Sequence, residues 1–294
     1  MRLSILLLAY DMQREIPRTL RTMLPPVQKC VTGAEYEIII IDNGSERSLS
    51  LDEVDDHGVD IRMDRTPPER ALPSPVSAMN AAACDVARGD ALLICIDGAR
   101  MFSPYIVRRT IDALERQADA FTFVGSRHLG QEVQMKAVKA GYDQGEEDAL
   151  LRTVRWADDA DELHGISVWA GAHSFRSAFY QNESNAFGLR RALWEEVGAY
   201  NSRFERPGGG LCNLEMFRRY VTSPAARNVL LLGESTFHQF HGGAATARAG
   251  YFGESREEYR QATGADYALP RYDFEVDTGQ AYDRQSVIER WYHG

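Results

Sequence analysis

Two apolar stretches near the amino terminus decide the fold, Leu3-Ser4-Ile5-Leu6-Leu7-Leu8-Ala9-Tyr10-Asp11 and Tyr36-Glu37-Ile38-Ile39-Ile40-Ile41-Asp42-Asn43-Gly44-Ser45. Unbroken apolar runs of this length, separated by a helical pattern, are typical of parallel strands that are buried on both faces. Each run ends in a polar turn that carries an aspartate, Asp11 in the first and Asp42 in the second. In open α/β sheets, ligands bind outside the carboxyl ends of the strands. The two aspartates are therefore placed as in a ligand site.

Helical and strand patterns continue to alternate beyond these runs. Residues 14–24 carry apolar side chains at four-residue spacing, and Pro25-Pro26 ends that helix. Further strands are predicted at residues 59–63, 91–96 and 120–124, and further helices at residues 75–89, closed by Gly89, and at residues 103–116. The order β-α-β-β-α-β-α-β predicts an α/β fold with a single doubly wound, mostly parallel sheet that is flanked by helices.

The second half of the chain has a weaker pattern. The acid-rich stretch of residues 144–161 is expected to be solvated. Strand and helix resume at residues 187–197 and end at Gly198. Two short strands are predicted at residues 229–232 and 235–240, and a helix at residues 255–262.

Composition limits the class of partner and the compartment. The 294 residues include 33 Lys and Arg against 43 Asp and Glu, a net charge of −10. Because phosphate backbones favour basic surfaces, this balance argues against nucleic acid as the main partner. The sequence shows no signal peptide and no apolar stretch of about eighteen residues, which predicts a cytoplasmic protein without a transmembrane segment. Cys84 and Cys95 lie in apolar stretches and are expected to be inert core thiols.

The two amino-terminal runs resemble the start of a family 2 glycosyltransferase of GT-A fold. In that family the first strand ends in a Thr-Tyr-Asn type of turn, here Ala9-Tyr10-Asp11, and the second in Val-Asp-Asn-Gly-Ser, here Ile41-Asp42-Asn43-Gly44-Ser45. The resemblance continues with gaps to about Gly243 and is more specific in its first half. It implies a GT-A domain over residues 1–245, with a nucleotide-binding half at 1–125 and an acceptor-side half at 126–245. A helical or irregular tail follows at 246–294.

The resemblance also implies a function. Members of the family transfer a sugar from a nucleotide-diphosphate donor to a glycan or small-molecule acceptor. We expect this chain to do so in bacterial surface polysaccharide or glycoconjugate synthesis. The interpretation leaves room for a homodimer and for peripheral contact with a membrane.

The resemblance assigns the donor site to the first two strand ends. Ala9, Tyr10, Asp11 and Asp42 are expected to contact the donor, the aspartate by accepting hydrogen bonds from the nucleoside. Asn80 matches an asparagine that is common in the family, and we expect it to steady the proline-rich loop near the nucleotide. In the alternative interpretation, Asp42 only shapes a turn and Asn80 only binds backbone.

Asp97-Gly98-Ala99-Arg100 departs from the family pattern. Most members have Asp-x-Asp here, and the second acid binds a divalent metal, Mn²⁺ or Mg²⁺, that bridges the diphosphate. Asp97 and Gly98 match the first two positions, whereas Ala99 replaces the metal ligand. Asp97 could share the metal with His238 or His241, or Arg100 could supply positive charge to the diphosphate. Arg100 could also be a solvated loop residue.

The segment His238-Gln239-Phe240-His241-Gly242-Gly243 resembles a late family segment that contacts metal or phosphate. On a strand, His238 and Phe240 share a face while His241 points away. One histidine is therefore expected to face the site, unless the chain turns at His241. A purely structural histidine pair is the competing interpretation.

The acceptor side lacks the usual catalytic aspartate. Alignment on Arg219 puts Asn213 at the position where the family has its general base, and an amide cannot act as a base. Glu215 is the predicted replacement, with Glu183 as an alternative. Glu215 could instead pair with Arg218 or Arg219 along a helix. Retaining chemistry, which does not need this base, stays open.

Aromatic side chains concentrate around Asn182 and Glu183, namely Trp169, His173, Phe175, Phe179, Tyr180 and Trp194. Trp169 is a candidate for stacking on the acceptor, although a core or mixed role is the safer assumption for the group.

Two other functions compete with sugar transfer. A sugar nucleotidyltransferase needs a Gly-rich loop with basic residues near the amino terminus, and the turn at Tyr10 has neither. A degenerate protein that binds a nucleotide or glycan without turnover is supported by Ala99 and Asn213, which stand where the family has working acids.

Overall fold

The computed structural model describes residues 1–52, 54–170, 180–242 and 250–293. Within these ranges, the strands are β1 Leu3–Ala9, β2 Tyr36–Asn43, β3 Asp60–Thr66, β4 Ala91–Cys95, β5 Arg100–Phe102, β6 Ala120–Leu129, β7 Ser167–Trp169, β8 Phe187–Arg190, β9 Arg227–His238 and β10 Glu275–Asp277. The helices are α1 Glu15–Met23, α2 Val76–Ala81, α3 Ile106–Arg116, α4 Gln134–Ala137, α5 Gln144–Leu151, α6 Arg191–Val197, α7 Cys212–Val221, α8 Tyr251–Thr263 and α9 Gln285–His293.

All ten strands join one sheet with the order β10-β9-β6-β8-β4-β1-β2-β3, and β5 and β7 pair with β9 and β6. β1 pairs in parallel with β2 and with β4, and β2 pairs in parallel with β3. β8 lies antiparallel between β4 and β6, while β9 is parallel to β6. The prediction of one mostly parallel sheet flanked by helices is confirmed.

The central strands are buried on both faces, as their apolar composition predicts. Leu6, Leu8 and Ile39 face a core that includes α2, α6, α7 and α8. On the opposite face of the sheet, Ile5 and Leu7 pack against α1 and α3. Alternation along the strands therefore divides the same apolar runs between two cores.

Two predicted boundaries shift for reasons of packing. The helix after the proline-rich loop continues past α2 as a π turn over Ala82–Val86 and ends there, before Gly89. Gly89 instead permits a close approach to β1, because a Cβ atom there would lie 2.7 Å from the Arg2 carbonyl oxygen. The two short strands predicted after residue 228 are one long strand, β9, whose irregular pairing with β6 includes Gly233 at a φ of 84°.

The acid-rich stretch is not uniformly solvated, contrary to the prediction. Glu147 on α5 and Asp161 are both buried. Glu147 pairs with Arg14, and Asp161 pairs with the buried Arg284 through two hydrogen bonds of 2.5 and 2.8 Å. Hydrogen bonds from distant groups, including these arginines, compensate the burial of both acids. Cys84, expected in the core, is exposed, whereas Cys95 is buried as predicted.

The carboxyl-terminal segment packs on the sheet. Tyr259 of α8 is buried in the core, and β10 pairs in parallel with β9. Arg284 adds an ion pair of 3.0 Å with the buried Glu234. None of the helices in the described part of the chain has the length and apolar character needed to cross a membrane.

Candidate functional site

The ends of β1, β2 and β4 meet at one edge of the sheet. Ala9, the last residue of β1, pairs with Asp42, and Leu7 pairs with Cys95 at the end of β4. Asp97 follows Cys95 by two residues. Tyr10, Asp11, Asp42 and Asp97 thus gather at the edge where ligands bind in sheets of this type.

The turns that follow β1 and β2 are held by hydrogen bonds between backbone amides and side-chain oxygens. Asp42 is fully buried, accepts a hydrogen bond from the Ser45 amide at 3.0 Å, and lies 3.3 Å from Arg65 Nε. The Asp11 amide donates to Ser45 Oγ at 2.8 Å. Asp42 therefore shapes the turn, and Tyr10, with 57% of its surface exposed, presents its ring beside it.

Asn80 binds backbone, but not that of the proline-rich loop. Its side chain donates to the Tyr200 carbonyl at 2.8 Å and accepts from the Tyr200 amide at 3.0 Å. The loop is held elsewhere, by Ser74 Oγ bound to the Phe204 carbonyl and Asn43 bound to the Leu72 carbonyl. Asn80 thus joins α2 to the segment after α6.

Asp97, His238 and His241 form a compact cluster whose ligand atoms all lie within 4.8 Å of one another. His238 Nε2 lies 3.1 Å from Asp97 Oδ2, and His241 Nε2 lies 3.7 Å from Asp97 Oδ1. The two Nε2 atoms are 3.2 Å apart. β9 ends at His238, so the chain has left the strand before His241. The chain therefore turns before His241, which is the condition under which both histidines were expected to face the site.

Burial and neighbouring charges shift the pKa values of the residues in this cluster. Burial alone would raise the pKa of Asp97, but His238, Arg100 and His241 outweigh burial and hold that pKa well below its usual range. Burial and the neighbouring Arg100 lower the pKa of His238 to about 4. At neutral pH the cluster therefore pairs an ionised carboxylate with a neutral imidazole at His238, the protonation states that metal binding requires.

Arg100 is an integral part of this site. It lies on β5 with only 7% of its surface exposed, which excludes the solvated-loop interpretation. Its Nε donates to Asp97 Oδ2 at 2.8 Å, and its Nη1 donates to Ser126 Oγ at 2.8 Å. Arg100 and His238 also pair across β5 and β9. The guanidinium thus fixes Asp97 by a direct ion pair.

Packing explains the missing second acid. Ala99 is fully buried in the apolar core that contains Ile5 and Leu7, and a carboxylate could not occupy its position without losing water. Gly98 lies against the end of β1, where an added Cβ atom would be 2.2 Å from the Leu8 carbonyl oxygen. Both residues serve packing and leave Asp97 as the acid of this turn.

The acceptor side brings Asn213 and Glu183 together. Asn213, on the first turn of α7, donates to Glu183 Oε2 at 3.3 Å and to the Ser184 carbonyl at 3.1 Å. Glu183 is partly buried, and burial raises its pKa although Arg100 and Asn213 act in the opposite direction. The nearby charge of Asp97 acts in the same direction as burial and raises the pKa of Glu183 further.

Glu215 has a different environment. Its Oε1 accepts a hydrogen bond of 2.9 Å from Arg219 Nε, one helical turn away on α7. Arg219 also donates to the carbonyl oxygens of Val197, Gly198 and Ala199. The pair fixes α7 to the segment after α6, as the competing interpretation of Glu215 proposes.

The aromatic group is mainly structural where it is described. Trp169 is partly buried on β7, and the Arg127 guanidinium lies 4.5 Å from its ring centre. Trp194 is a buried core residue. His173, Phe175 and Phe179 lie outside the described residues, as does Gly243.

The sequence did not indicate the residues that hold the histidine segment. Glu147 Oε2 accepts from the Phe240 amide at 2.7 Å, and Arg14 Nη1 donates to the Phe240 carbonyl at 3.3 Å. Gln134 donates to the His238 carbonyl at 3.1 Å. The only available signal was the mixture of acids and apolar residues in the stretch that was interpreted as solvated.

Comparison with known proteins gives a likeness in structure. No protein-family profile and no curated protein sequence matches the chain. The fold is similar to S. aureus TarS 1-349 in complex with UDP-GlcNAc, with a TM-score of 0.54 and 12% identity over 90% of this chain and 68% of that chain. The chain has the GT-A fold.

Two further TarS structures show the same similarity of fold. TarS 1-349 in complex with UDP gives a TM-score of 0.52 at 10% identity, covering 99% of this chain and 70% of that chain. A longer TarS structure gives 0.53 at 11% identity over 92% of this chain, and the match spans 41% of the TarS chain. At such identities the likeness concerns the fold alone.

Proposed function

We propose that this protein is a glycosyltransferase that moves a hexose from a nucleotide-diphosphate sugar to a hydroxyl group of a glycan or small-molecule acceptor. The observation that carries the proposal is the cluster of Asp97, His238 and His241 at the strand-end edge of a GT-A fold. UDP-GlcNAc and UDP in the similar TarS structures support a nucleotide-sugar donor. The sequence resemblance supports a place in bacterial surface polysaccharide or glycoconjugate synthesis.

The donor set of the cluster fits a divalent metal. With metal–nitrogen bonds of about 2.1 Å, two ligands of one ion lie roughly 3.0 Å apart in octahedral and roughly 3.4 Å apart in tetrahedral geometry. The separation of 3.2 Å between the His238 and His241 Nε2 atoms falls between these values. Two imidazoles and one carboxylate favour Mn²⁺ over Mg²⁺, which prefers oxygen ligands.

Each part of the site has a task in this proposal. Ala9, Tyr10 and Asp11 form the nucleoside subsite, with Asp42 shaping its floor. Asp97, His238 and His241 would hold the metal, which would offset the negative charge of the departing diphosphate. Arg100 orients Asp97 and adds fixed positive charge. Glu183 and Asn213 lie on the acceptor side, together with Trp169.

A second candidate is a degenerate GT-A protein that binds nucleotide or glycan without turnover. Ala99 and Asn213 favour it, because one is a core residue and the other an amide. The ionised Asp97 beside two histidines weighs against it, since a protein that only binds glycan has no need of that charge cluster.

Thermal-shift titration with nucleoside diphosphates tests the proposal. UDP, GDP, ADP, CDP and dTDP are each added with Mn²⁺, with Mg²⁺ and with chelator to the wild type. A ligand of the native state raises stability by mass action. We expect a selective rise with one nucleotide that requires Mn²⁺ and is lost in His238→Ala and His241→Ala. His57→Asn, at an exposed turn histidine with φ of 50°, is the matched control because asparagine tolerates that backbone.

The outcomes separate the two candidates. A metal-dependent shift together with release of nucleotide from the matching sugar donor supports the transferase. A shift without any turnover supports the degenerate protein. The absence of a shift with every nucleotide would contradict the proposed function.

A further inference from the structure

Inverting sugar transfer to a hydroxyl group needs a proton acceptor on the acceptor side, and Asn213 on the first turn of α7 does not supply one. Asn213 is an amide with no basic atom of suitable pKa. It donates to Glu183 and Ser184 and accepts a hydrogen bond of 3.2 Å from the Tyr200 hydroxyl. Together these three hydrogen bonds fix the position of the Asn213 side chain.

Glu215 is already committed to α7. Both of its oxygens accept hydrogen bonds from Arg219, at 2.9 and 3.3 Å, and its side chain is 11% exposed. Arg219 in turn holds Gly198 and its two neighbours. Both oxygens of Glu215 are therefore engaged by Arg219, and the pair holds α7 to the segment after α6.

The carboxylate of Glu183 has fewer partners than that of Glu215. Among the described residues, its carboxylate accepts one side-chain hydrogen bond, the 3.3 Å contact from Asn213. Burial raises its pKa, and the charges of Asp97 and Arg100 both act on it. Its carboxylate thus contacts the residue that stands at the usual base position, and within the described part of the chain it takes part in no ion pair.

The chain segment that carries Glu183 is held by a reciprocal pair of tyrosines, which we name the tyrosine clasp. The Tyr272 hydroxyl donates to the Gln181 carbonyl at 2.8 Å and accepts from the Gln181 amide at 3.2 Å. The Tyr180 hydroxyl donates to the Pro270 carbonyl and accepts from the Tyr272 amide at 3.1 Å. The two rings lie 4.8 Å apart. The carboxyl-terminal segment thus fixes the backbone two residues before Glu183.

A nearby phenol extends this polar surface. Tyr267, from the same carboxyl-terminal segment, has its pKa raised by burial and by the negative charge of Glu183. Within the described residues its hydroxyl has no hydrogen-bond partner. The phenol therefore keeps its proton, and its raised pKa reflects burial and the negative charge of Glu183.

We propose that Glu183, positioned by Asn213 and the tyrosine clasp, is the general base of the transfer. The assignment rests on the proposed glycosyltransferase function. Glu183 takes the proton of the acceptor hydroxyl while the hydroxyl oxygen forms a bond to the anomeric carbon of the donor. The bond from that carbon to the diphosphate oxygen breaks, and its electron pair leaves on the diphosphate. This single displacement inverts the anomeric carbon.

Three glutamine variants test the assignment in the full-length chain. Glu183→Gln removes the proposed base, Glu215→Gln removes the competing carboxylate, and Glu195→Gln is the control at an exposed position of α6. Nucleoside diphosphate release is measured from UDP-GlcNAc and from UDP- and GDP-hexoses with Mn²⁺, with water and with simple methyl glycosides as acceptors. Nucleotide binding is measured in parallel by thermal shift.

We expect Glu183→Gln to bind nucleotide like the wild type and to lose at least about a hundredfold in turnover, the usual effect of removing a general base. Sodium formate should restore part of the turnover of Glu183→Gly, which a merely structural role would not allow. Glu215→Gln and Glu195→Gln should stay within about threefold of the wild type.

The experiment distinguishes a failure of the base assignment from a failure of the proposed function. Normal turnover in Glu183→Gln, or a large loss confined to Glu215→Gln, would overturn this assignment while leaving the proposed function intact. Nucleotide binding without turnover in the wild type would also overturn it, in favour of the degenerate protein. A wild type that binds no nucleotide would overturn the proposed function and the assignment together.

Discussion

Asp97 and Glu215 are both acids beside an arginine, yet the two sides of the molecule around them are built differently. Asp97 follows β4, while His238 ends β9, more than a hundred residues later in the chain. Glu215 and Arg219 are one turn apart on α7. A pair at i, i+4 stabilises its own helix, whereas charge gathered from distant strands has no such local purpose. The difference agrees with the proposed role of Asp97 in the site and with a structural role for Glu215.

Arg100 and Arg219 differ in the same way as the two acids they bind. Arg100 binds one carboxylate and the Ser126 hydroxyl, and its charge is directed at the Asp97 cluster. Arg219 binds Glu215 and three backbone carbonyls, so its charge is dispersed over the end of α6. The nucleotide side therefore concentrates charge, and the acceptor side uses its charge to hold segments together.

Restoring the missing acid of the family pattern should damage the nucleotide side most. Ala99→Asp would bury a carboxylate in an apolar core, at a cost of about 4 kcal/mol in unfolding free energy. Urea denaturation measures the loss, and Ala118→Asp at an exposed turn is the control. A variant with unchanged stability and tighter Mn²⁺ binding would show that position 99 faces the site after all.

Removal of the Asp97 charge should separate binding from folding. Asp97→Asn keeps the shape of the side chain and should weaken Mn²⁺ binding by at least about a hundredfold, because loss of a ligand exceeds the usual effect of losing an outer-shell partner. Isothermal titration with Mn²⁺ measures the change. Asp158→Asn, at an exposed loop position, is the control. Equal affinity in both variants would remove Asp97 from the metal site.

The opposite result is expected for the acceptor side. Arg219→Met removes the hydrogen bonds to three carbonyls and to Glu215, which should lower the unfolding free energy by about 3 kcal/mol. Nucleotide binding measured below the unfolding transition should stay within about threefold of the wild type. Arg256→Met, exposed on α8, is the control. Loss of nucleotide binding at unchanged stability would erase the contrast between the two arginines.

The same contrast shows what the sequence could predict. The apolar runs of β1, β2 and β4 are continuous and local, so their burial and the position of Asp97 at a strand end follow from pattern alone. The approach of His238 or His241 to Asp97 could be suspected from the resemblance, but whether both histidines face Asp97 depends on where β9 ends. Strand termination is a property of sheet pairing, which a single sequence does not display.

The acceptor side could not be predicted because its supports are distant in sequence. Glu183 was one of several acids in a stretch of weak periodicity, and its partner Asn213 lies thirty residues away. The tyrosine clasp joins residues about ninety positions apart. Glu147 was hidden in the same manner, since its burial depends on Arg14 and on the Phe240 amide. Periodicity reports which face is apolar, but not which distant charge makes a buried acid tolerable.

The last and smallest expected effect concerns Glu147, which supports the histidine segment of the nucleotide side. Burial raises its pKa to about 7, although the Phe240 amide and Arg14 favour the ionised form. Between about pH 4.5 and pH 7 the native state therefore holds a proton that the unfolded chain has released, and stability falls as the pH rises through this range.

Glu147→Gln should remove that part of the fall and gain stability relative to the wild type from pH 5 to pH 7.5. Urea denaturation at both pH values measures the difference. Glu146→Gln, exposed on the same helix, should show no such trend. A difference between Glu147→Gln and the wild type that does not change with pH would mean that Glu147 is ionised throughout, held by Arg14 as a permanent ion pair.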